Sequence, residues 1–264
     1  MSFFSVEHLT AGYGKQPVIH DISFDLSAGR LLGILGANAS GKTTVLKAIC
    51  GILPHTGSCV LDGTSLEGLS PRQIAKQCSY IPQRSGISID ISALDVVLMG
   101  FNPQLGLLDH PDNIMKEAAR QALIQVGLTG KENANYLHLS EGQKQLCILA
   151  RTLVSDSKLL LLDEPESALD FRFRYRMLEI LRNWVSEKAH AAIVTLHDPA
   201  LALNYCDQLL LLADGKVLGS ISPGIDACDK MEQMLEVIYG KVSLHTSCSR
   251  SGRPQLVMLK EEDT

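Results

Sequence analysis

Residues 3–35 carry short apolar runs of the kind that form strands. "FFSVEHL", "VIHDISFDL" and "RLLGILG" are separated by Gly and Asn/Asp turn signals. The third run ends in a glycine loop, after which "KTTVLKAICGIL" takes on helical spacing. From 92 to 154 the pattern is helical: "SALDVVLMG", then "DNIMKEAARQALIQVG" closed by Gly127, then a run that starts after Ser140. Strand-type runs return as "KLLLLDEP" and "AAIVTLHDP", with the helical "FRYRMLEILRNWVSEK" between them. "QLLLLADGKVLGS" reads as a hairpin turning at Asp214-Gly215. "LLLL" and "AAIV" are continuously apolar, as expected of strands buried on both faces of a parallel sheet, although periodicity alone does not separate them from buried helix. The pattern predicts an α/β core, a mostly helical insert near 84–155 and a small appendage after about 221.

Composition changes little in this picture. The chain has 264 residues, 45% hydrophobic and 20% charged, enough for one large domain or two interleaved ones. A net charge of −5 argues against a strongly basic nucleic-acid surface, so nucleic acid is not an expected partner. "MSFFSVEHLT" does not read as a secretion signal, and no apolar stretch approaches the ~20 residues of a membrane span. The expectation is a chain that sits against a membrane protein without crossing the bilayer. Seven scattered cysteines with no C-x-x-C pair argue against a zinc site or a disulfide framework and for a reducing compartment. "HTSC" at 245–248 is expected to be a polar loop.

The chemistry begins at "GANASGKTT" (36–44), which matches G-x-x-x-x-G-K-[ST] between a strand and a helix. Gly36 and Gly41 let the backbone curl so that successive N–H groups face phosphate. Lys42 reaches the β/γ oxygens, the Thr43 hydroxyl ligates Mg²⁺, and Thr44 adds a contact. Asn38, Ala39 and Ser40 complete the expected nucleotide-contacting loop. Downstream, "LLLLDEP" ends a buried strand in Asp163-Glu164. Adjacent strand residues point to opposite sides, so the two acids should have different duties. Asp163 suits Mg²⁺, and Glu164 suits the water that attacks the γ-phosphate.

These two elements are shared by small-molecule kinases, motors and GTPases. The guanine-reading N-K-x-D run of a GTPase is absent, and the insert has few arginines for a kinase lid. "LSEGQKQ" (139–145) lies between the two motifs. Ser140 with Gln143 three residues later is a capping-box pattern, so this stretch starts a helix whose N-terminus suits anions.

"LSEGQKQ" resembles the L-S-G-G-Q signature of ABC-type ATPases, and other marks fall in that family's order. Tyr13 in "AGYGK" looks like the aromatic that stacks on adenine. Gln83 in "SYIPQ" looks like the glutamine that links core to insert. "SALD" (167–170), ending in Asp170, resembles the D-loop, and His197 in "TLHDP" resembles the switch histidine at the γ-phosphate. The resemblance covers residues 3 to about 240. It implies a single ATPase domain over 1–240, with a RecA-like phosphate-loop core and N-terminal antiparallel β subdomain (1–83 and 156–220) and a helical signature subdomain (84–155). Residues 221–264 form the appendage.

The resemblance further implies that Glu164, His197, Gln83 and Lys42 act in ATP hydrolysis, and that Thr43, Gln83 and Asp163 serve Mg²⁺. Two copies would pair head to tail, with Ser140, Gly142 and Gln143 of one and Asp170 at the other's nucleotide. A separate transmembrane permease, fed by a substrate-binding protein, would dock on the Gln83 loop and residues 84–105. The chain would then be cytoplasmic, peripheral on the inner face of the membrane. "DVVLMGFNPQLGLLDHPD" (95–112) resembles a stretch common in iron-siderophore, haem and cobalamin uptake ATPases, with Phe101 in place of the usual arginine. Zinc and manganese importers carry a similar stretch, and a soluble ATPase without a permease is the other alternative. Three departures stand out: Ala37 and Ala39 in the phosphate loop, and Glu166 where threonine is frequent.

Overall fold

The computed structural model describes residues 2–83, 86–106, 108–167, 169–187, 190–248, 252 and 254–261. Strands β1 (Phe4–Tyr13) and β2 (Gln16–Leu26) form an antiparallel ribbon, followed by β3 (Leu31–Leu35) and α1 (Lys42–Ile49). Next come β4 (His55–Leu61), the short β5 (Thr64–Ser65), α2 (Pro71–Gln77) and β6 (Cys78–Ile81). The insert carries α3 (Ala93–Leu98), α4 (Asn113–Val126) and α5 (Glu141–Leu153). The chain returns through β7 (Leu159–Asp163), α6 (Phe171–Glu187), β8 (Ala191–Thr195), α7 (Pro199–Tyr205), β9 (Gln208–Ala213) and β10 (Lys216–Ile221). It closes with α8 (Cys228–Tyr239), β11 (Val242–Cys248) and β12 (Pro254–Lys260).

One sheet runs β2-β1-β4-β5, antiparallel throughout; the other runs β10-β9-β3-β8-β7-β6, parallel except for its β10 edge. The apolar strands of the second sheet divide their side chains by alternation. Leu31, Leu35, Leu160, Leu162, Ala192 and Val194 pack toward the helices α3–α7. Leu32, Ile34, Leu159, Leu161, Ala191 and Ile193 pack toward α1 and the antiparallel sheet. Two buried faces explain why these strands read as unbroken apolar runs rather than alternating ones. The C-terminal ends of β3 and β7 then fall at the same edge of the sheet, since β8 pairs in parallel with both. That edge is where a parallel α/β sheet receives its ligands.

Helices α2, α3, α4, α5 and α7 start where a side chain accepts an orphan backbone N–H. Asp112 caps α4 and Gly127 closes it in a left-handed conformation. The hairpin turn falls at Asp214 and Gly215, both with positive φ. Phe101, in place of an arginine, is buried in the insert core in the 3₁₀ turn after α3.

The stretch 245–248 departs from expectation. It is not a loop: it forms the second half of β11, with His245 opposite Val257 and Cys248 opposite Pro254. Polar residues suffice there because this half of the ribbon is exposed and needs only the backbone ladder. The hairpin is held to the core by Asn204 of α7, whose amide donates to the Leu256 carbonyl at 2.8 Å and accepts the Leu256 N–H at 2.9 Å.

Candidate functional site

The turn from β3 into α1 folds as it does because glycine sits where a side chain would collide. A Cβ on Gly36 would lie 2.3 Å from the Leu212 carbonyl oxygen, and one on Gly41, at φ 106°, would lie 2.6 Å from Ile19. Ala39 adopts φ 63° without being glycine. The loop wraps Lys42, whose Nζ donates to the carbonyls of Gly36 at 2.9 Å and Ala37 at 3.2 Å. Burial lowers the Lys42 pKa, against the pull of Glu164, Asp163 and Glu166. Glu164 lies 3.8 Å from that ammonium.

A groove of about 270 Å³ runs over this loop, lined by Tyr13, Val18, Asn38, Ala39, Ser40, Gly41, Lys42, Thr43, Thr44 and Glu164. Tyr13 is 52% exposed at the end of β1, with the Lys47 ammonium 5.9 Å from its ring centre. The Ser40 hydroxyl is buried with no hydrogen-bond partner among the described residues. A donor of that kind beneath a curl of backbone amides fits a phosphate group.

The two acids after β7 face different partners. Asp163, only 3% exposed, accepts hydrogen bonds from three hydroxyls: Thr43 at 2.9 Å, Thr195 at 3.1 Å and Tyr80 at 3.1 Å. Burial, with help from Asp163, pushes the Tyr80 phenol pKa up, so it stays a donor. The Thr43 and Asp163 oxygens together form a hard-oxygen pair of the kind that suits Mg²⁺.

Glu164 takes φ 47°, a conformation uncommon outside glycine and often found at functional positions. Its backbone N–H donates to the Thr195 hydroxyl at 2.8 Å. One carboxylate oxygen is 2.7 Å from His197 Nε2, and the other accepts the Gln83 amide at 2.8 Å. Gln145 of α5 donates to the Gln83 carbonyl at 2.7 Å, so the insert is tied to Gln83 and through it to Glu164. His197 precedes Asp198, which caps α7 ahead of Pro199 at the first helical position.

Ser140, Gly142, Gln143 and Asp170 do not line this groove. Ser140 and Gln143 form a reciprocal capping box at the start of α5, with the Gln143 side-chain carbonyl taken up by the Ser140 N–H at 3.1 Å. Glu141 is 74% exposed and paired with Lys144 at 2.8 Å. Asp170 accepts the Phe173 N–H at 3.0 Å at the head of α6, and Ala168, within the 167–170 stretch, lies outside the described residues.

Tyr80, Thr195, Gln145 and Glu166 belong to this network, and sequence reasoning did not find them. Tyr80 and Thr195 sit three and two residues before Gln83 and His197, a weak positional hint. Nothing in the sequence signals that Glu166 is buried, since that follows from how the β7 turn meets the His197 loop.

The family model described as ABC transporter matches residues 19–167. The hemin import ATP-binding protein HmuV of Bordetella pertussis is 36% identical over 83% of this chain and 86% of its own. The manganese transport system ATP-binding protein MntB of Bacillus subtilis is 34% identical over 78% of this chain and 82% of its own. A solved structure described as a metal-chelate type ABC transporter in an inward-facing conformation superposes with a TM-score of 0.82 at 25% identity, covering 99% of both chains. With the phosphate loop, the Asp163-Glu164 pair and the capped "LSEGQ" helix in one fold, the chain belongs to the ABC transporter ATP-binding proteins and is an ATP hydrolase.

Proposed function

We propose that the chain powers import of a metal chelate, of iron-siderophore, haem or cobalamin type, through a separate transmembrane permease fed by a substrate-binding protein. The observation that carries this reading is the similarity to hemin import ATP-binding proteins over most of the chain, with the metal-chelate type structure in support. A manganese or zinc importer is the second reading, favoured by the Bacillus subtilis relative. No helix among the described residues is long and apolar enough to cross a membrane, which fits a permease formed by other chains.

In this reading Tyr13 stacks on adenine and the loop from Gly36 to Thr44 cradles the phosphates, with Lys42 swinging from its backbone carbonyls to the β/γ oxygens. Thr43, Asp163 and Gln83 would hold Mg²⁺, which would supply neutralisation of phosphate charge. Glu164 accepts a proton from the water whose oxygen attacks the γ-phosphorus as the bond to ADP breaks. His197, already against Glu164, holds the γ-phosphate side of the site. Ser140 and the Gly142 N–H reach the nucleotide of a second copy, with Asp170 nearby; Gln143 acts through the cap that aims that helix end. The Gln145–Gln83–Glu164 chain of hydrogen bonds is a physical route between the insert and the acid. Ile89, within the 84–105 stretch where a permease would dock, exposes apolar surface, as do Leu108 and Ile114 further along the insert. In such an assembly the protein would sit on the cytoplasmic face of the membrane.

The test is reconstitution with a metal-chelate type permease and its binding protein from the same organism, followed by ATP-dependent uptake into vesicles of haem and of free Mn²⁺. Haem uptake that stops without the chain is expected. Uptake of Mn²⁺ alone selects the second reading, and a chain that never joins membranes carrying that permease refutes the transport role.

A further inference from the structure

Glu166 lies two residues beyond Glu164 in the turn that leaves β7, with 3% of its surface exposed. Its Oε1 accepts the backbone N–H of His197 at 3.0 Å. Its Oε2 is buried with no hydrogen-bond partner among the described residues. The backbone carbonyl of the same residue accepts the Leu169 N–H at 3.0 Å, one residue before Asp170. A single residue thus joins the β7 turn, the approach to α6 and the loop that carries His197. The imidazole of that loop meets Glu164 at 2.7 Å.

We propose that Glu166 is the positioning residue for His197, its buried carboxyl fixing the His197 backbone and thereby the approach of the imidazole to Glu164 and the phosphate groove. This rests on the roles proposed above for Glu164 and His197.

Burial favours an uncharged Glu166 carboxyl, while the charged groups that face it divide. Lys42 and His197 lie on the side that would stabilise a carboxylate, while Glu164 and the buried Cys206 thiol oppose it. Burial is the largest influence and raises the Glu166 pKa; the His197 N–H pulls it down by less. A buried anionic oxygen without a donor is costlier than a neutral acid with one unmatched hydroxyl. The uncharged form is therefore present at lower pH and lost as pH rises through the elevated pKa.

The experiment is steady-state ATP hydrolysis, with kcat and KM resolved, by the full chain and its variants E166Q, E166L, E166A, H197A, E166L/H197A and E166A/H197A. H197A must lower turnover; if it does not, the role of His197 fails, and the positioning proposal is overturned with it. Given that loss, E166L should lower kcat by roughly ten- to a hundredfold, the scale of a small misplacement of a reacting group, with the KM for ATP nearly unchanged. E166Q, which keeps a carbonyl acceptor, should recover most of that loss. In the H197A background E166L should add nothing. An equal loss from E166L with and without His197, or E166Q as impaired as E166L, overturns the proposal. Should E166L fail to fold, E166A replaces it: a kcat loss in E166A that E166Q recovers and that disappears in the H197A background supports the proposal, and an equal loss in E166A and E166Q overturns it.

Discussion

Ala39 offers a quantitative test of how the phosphate loop is built. Among the non-glycine residues with positive φ are four aspartates, Asp21, Asp62, Asp156 and Asp214, a residue type that tolerates the left-handed region. Ala39, at φ 63°, has no polar side chain to offset the cost. A non-glycine residue there costs about 1–2 kcal/mol, and glycine returns about 0.5–1 kcal/mol of that through its larger unfolded entropy. The Ala39 methyl is exposed, so its removal forfeits little packing. Ala39→Gly should therefore stabilise the nucleotide-free protein by about 0.5–1 kcal/mol, or about 1–4 °C in Tm for a chain of this size. Asp62→Gly is the control: it also sits at positive φ but loses an ion pair with Lys158, and should gain less. The assay is thermal and urea unfolding without ATP. A Tm for Ala39→Gly equal to or below the parent would mean that the loop stores no strain at this position.

The remaining expectations concern the acids and the signature helix. Tyr80→Phe removes one of three hydroxyls from buried Asp163 and should cost about 1.5–3 kcal/mol in urea unfolding, the range for a hydrogen bond to a charged group; under 0.5 kcal/mol would remove Tyr80 from the network. Glu141→Gly should tighten ATP-driven dimerisation at low salt, but only by about two- to threefold, because Lys144 already offsets the charge. Sedimentation at low and high salt checks this, and a weaker dimer would reduce Glu141 to a plain helix-start residue.

Much of the fold was legible because its core strands are simple. Leu159–Leu162 and Ala191–Val194 are buried on both faces, so their unbroken apolar runs fit strands of a parallel sheet, although periodicity alone left buried helix open, and the turn at Asp214-Gly215 announced a hairpin. The caps at Asp112, Ser140 and Gly127 fixed helix ends through local hydrogen bonding that sequence spacing encodes. The segment from β4 to β6 was less visible: its strands are short or half-buried, and pairing of β4 with β1 across some 50 residues has no local signal. The strand at 245–248 was missed for a related reason, since a polar edge ribbon has no apolar alternation to betray it.

The candidate site divides along the same line. Gly36, Gly41, Lys42, Thr43, Asp163 and Glu164 were readable because backbone curl and phosphate chemistry demand those residue types at that spacing. The Thr195 and Tyr80 hydroxyls on Asp163, and the Glu166 tie to His197, depend on parallel pairing between β6, β7 and β8. Only the assembled sheet brings them together.

The most direct test of the hydrolytic mechanism is the Glu164→Gln variant, assayed in parallel for ATP binding, dimerisation and turnover. Glutamine keeps the length of the side chain that meets Gln83 and His197 but cannot take a proton from water. The expected result is ATP affinity close to the parent, a dimer that accumulates with ATP, and turnover lowered by about 10²–10⁴-fold, the usual contribution of a general base. Turnover equal to the parent, with ATP bound normally, would contradict the assignment of Glu164 as the group that activates water.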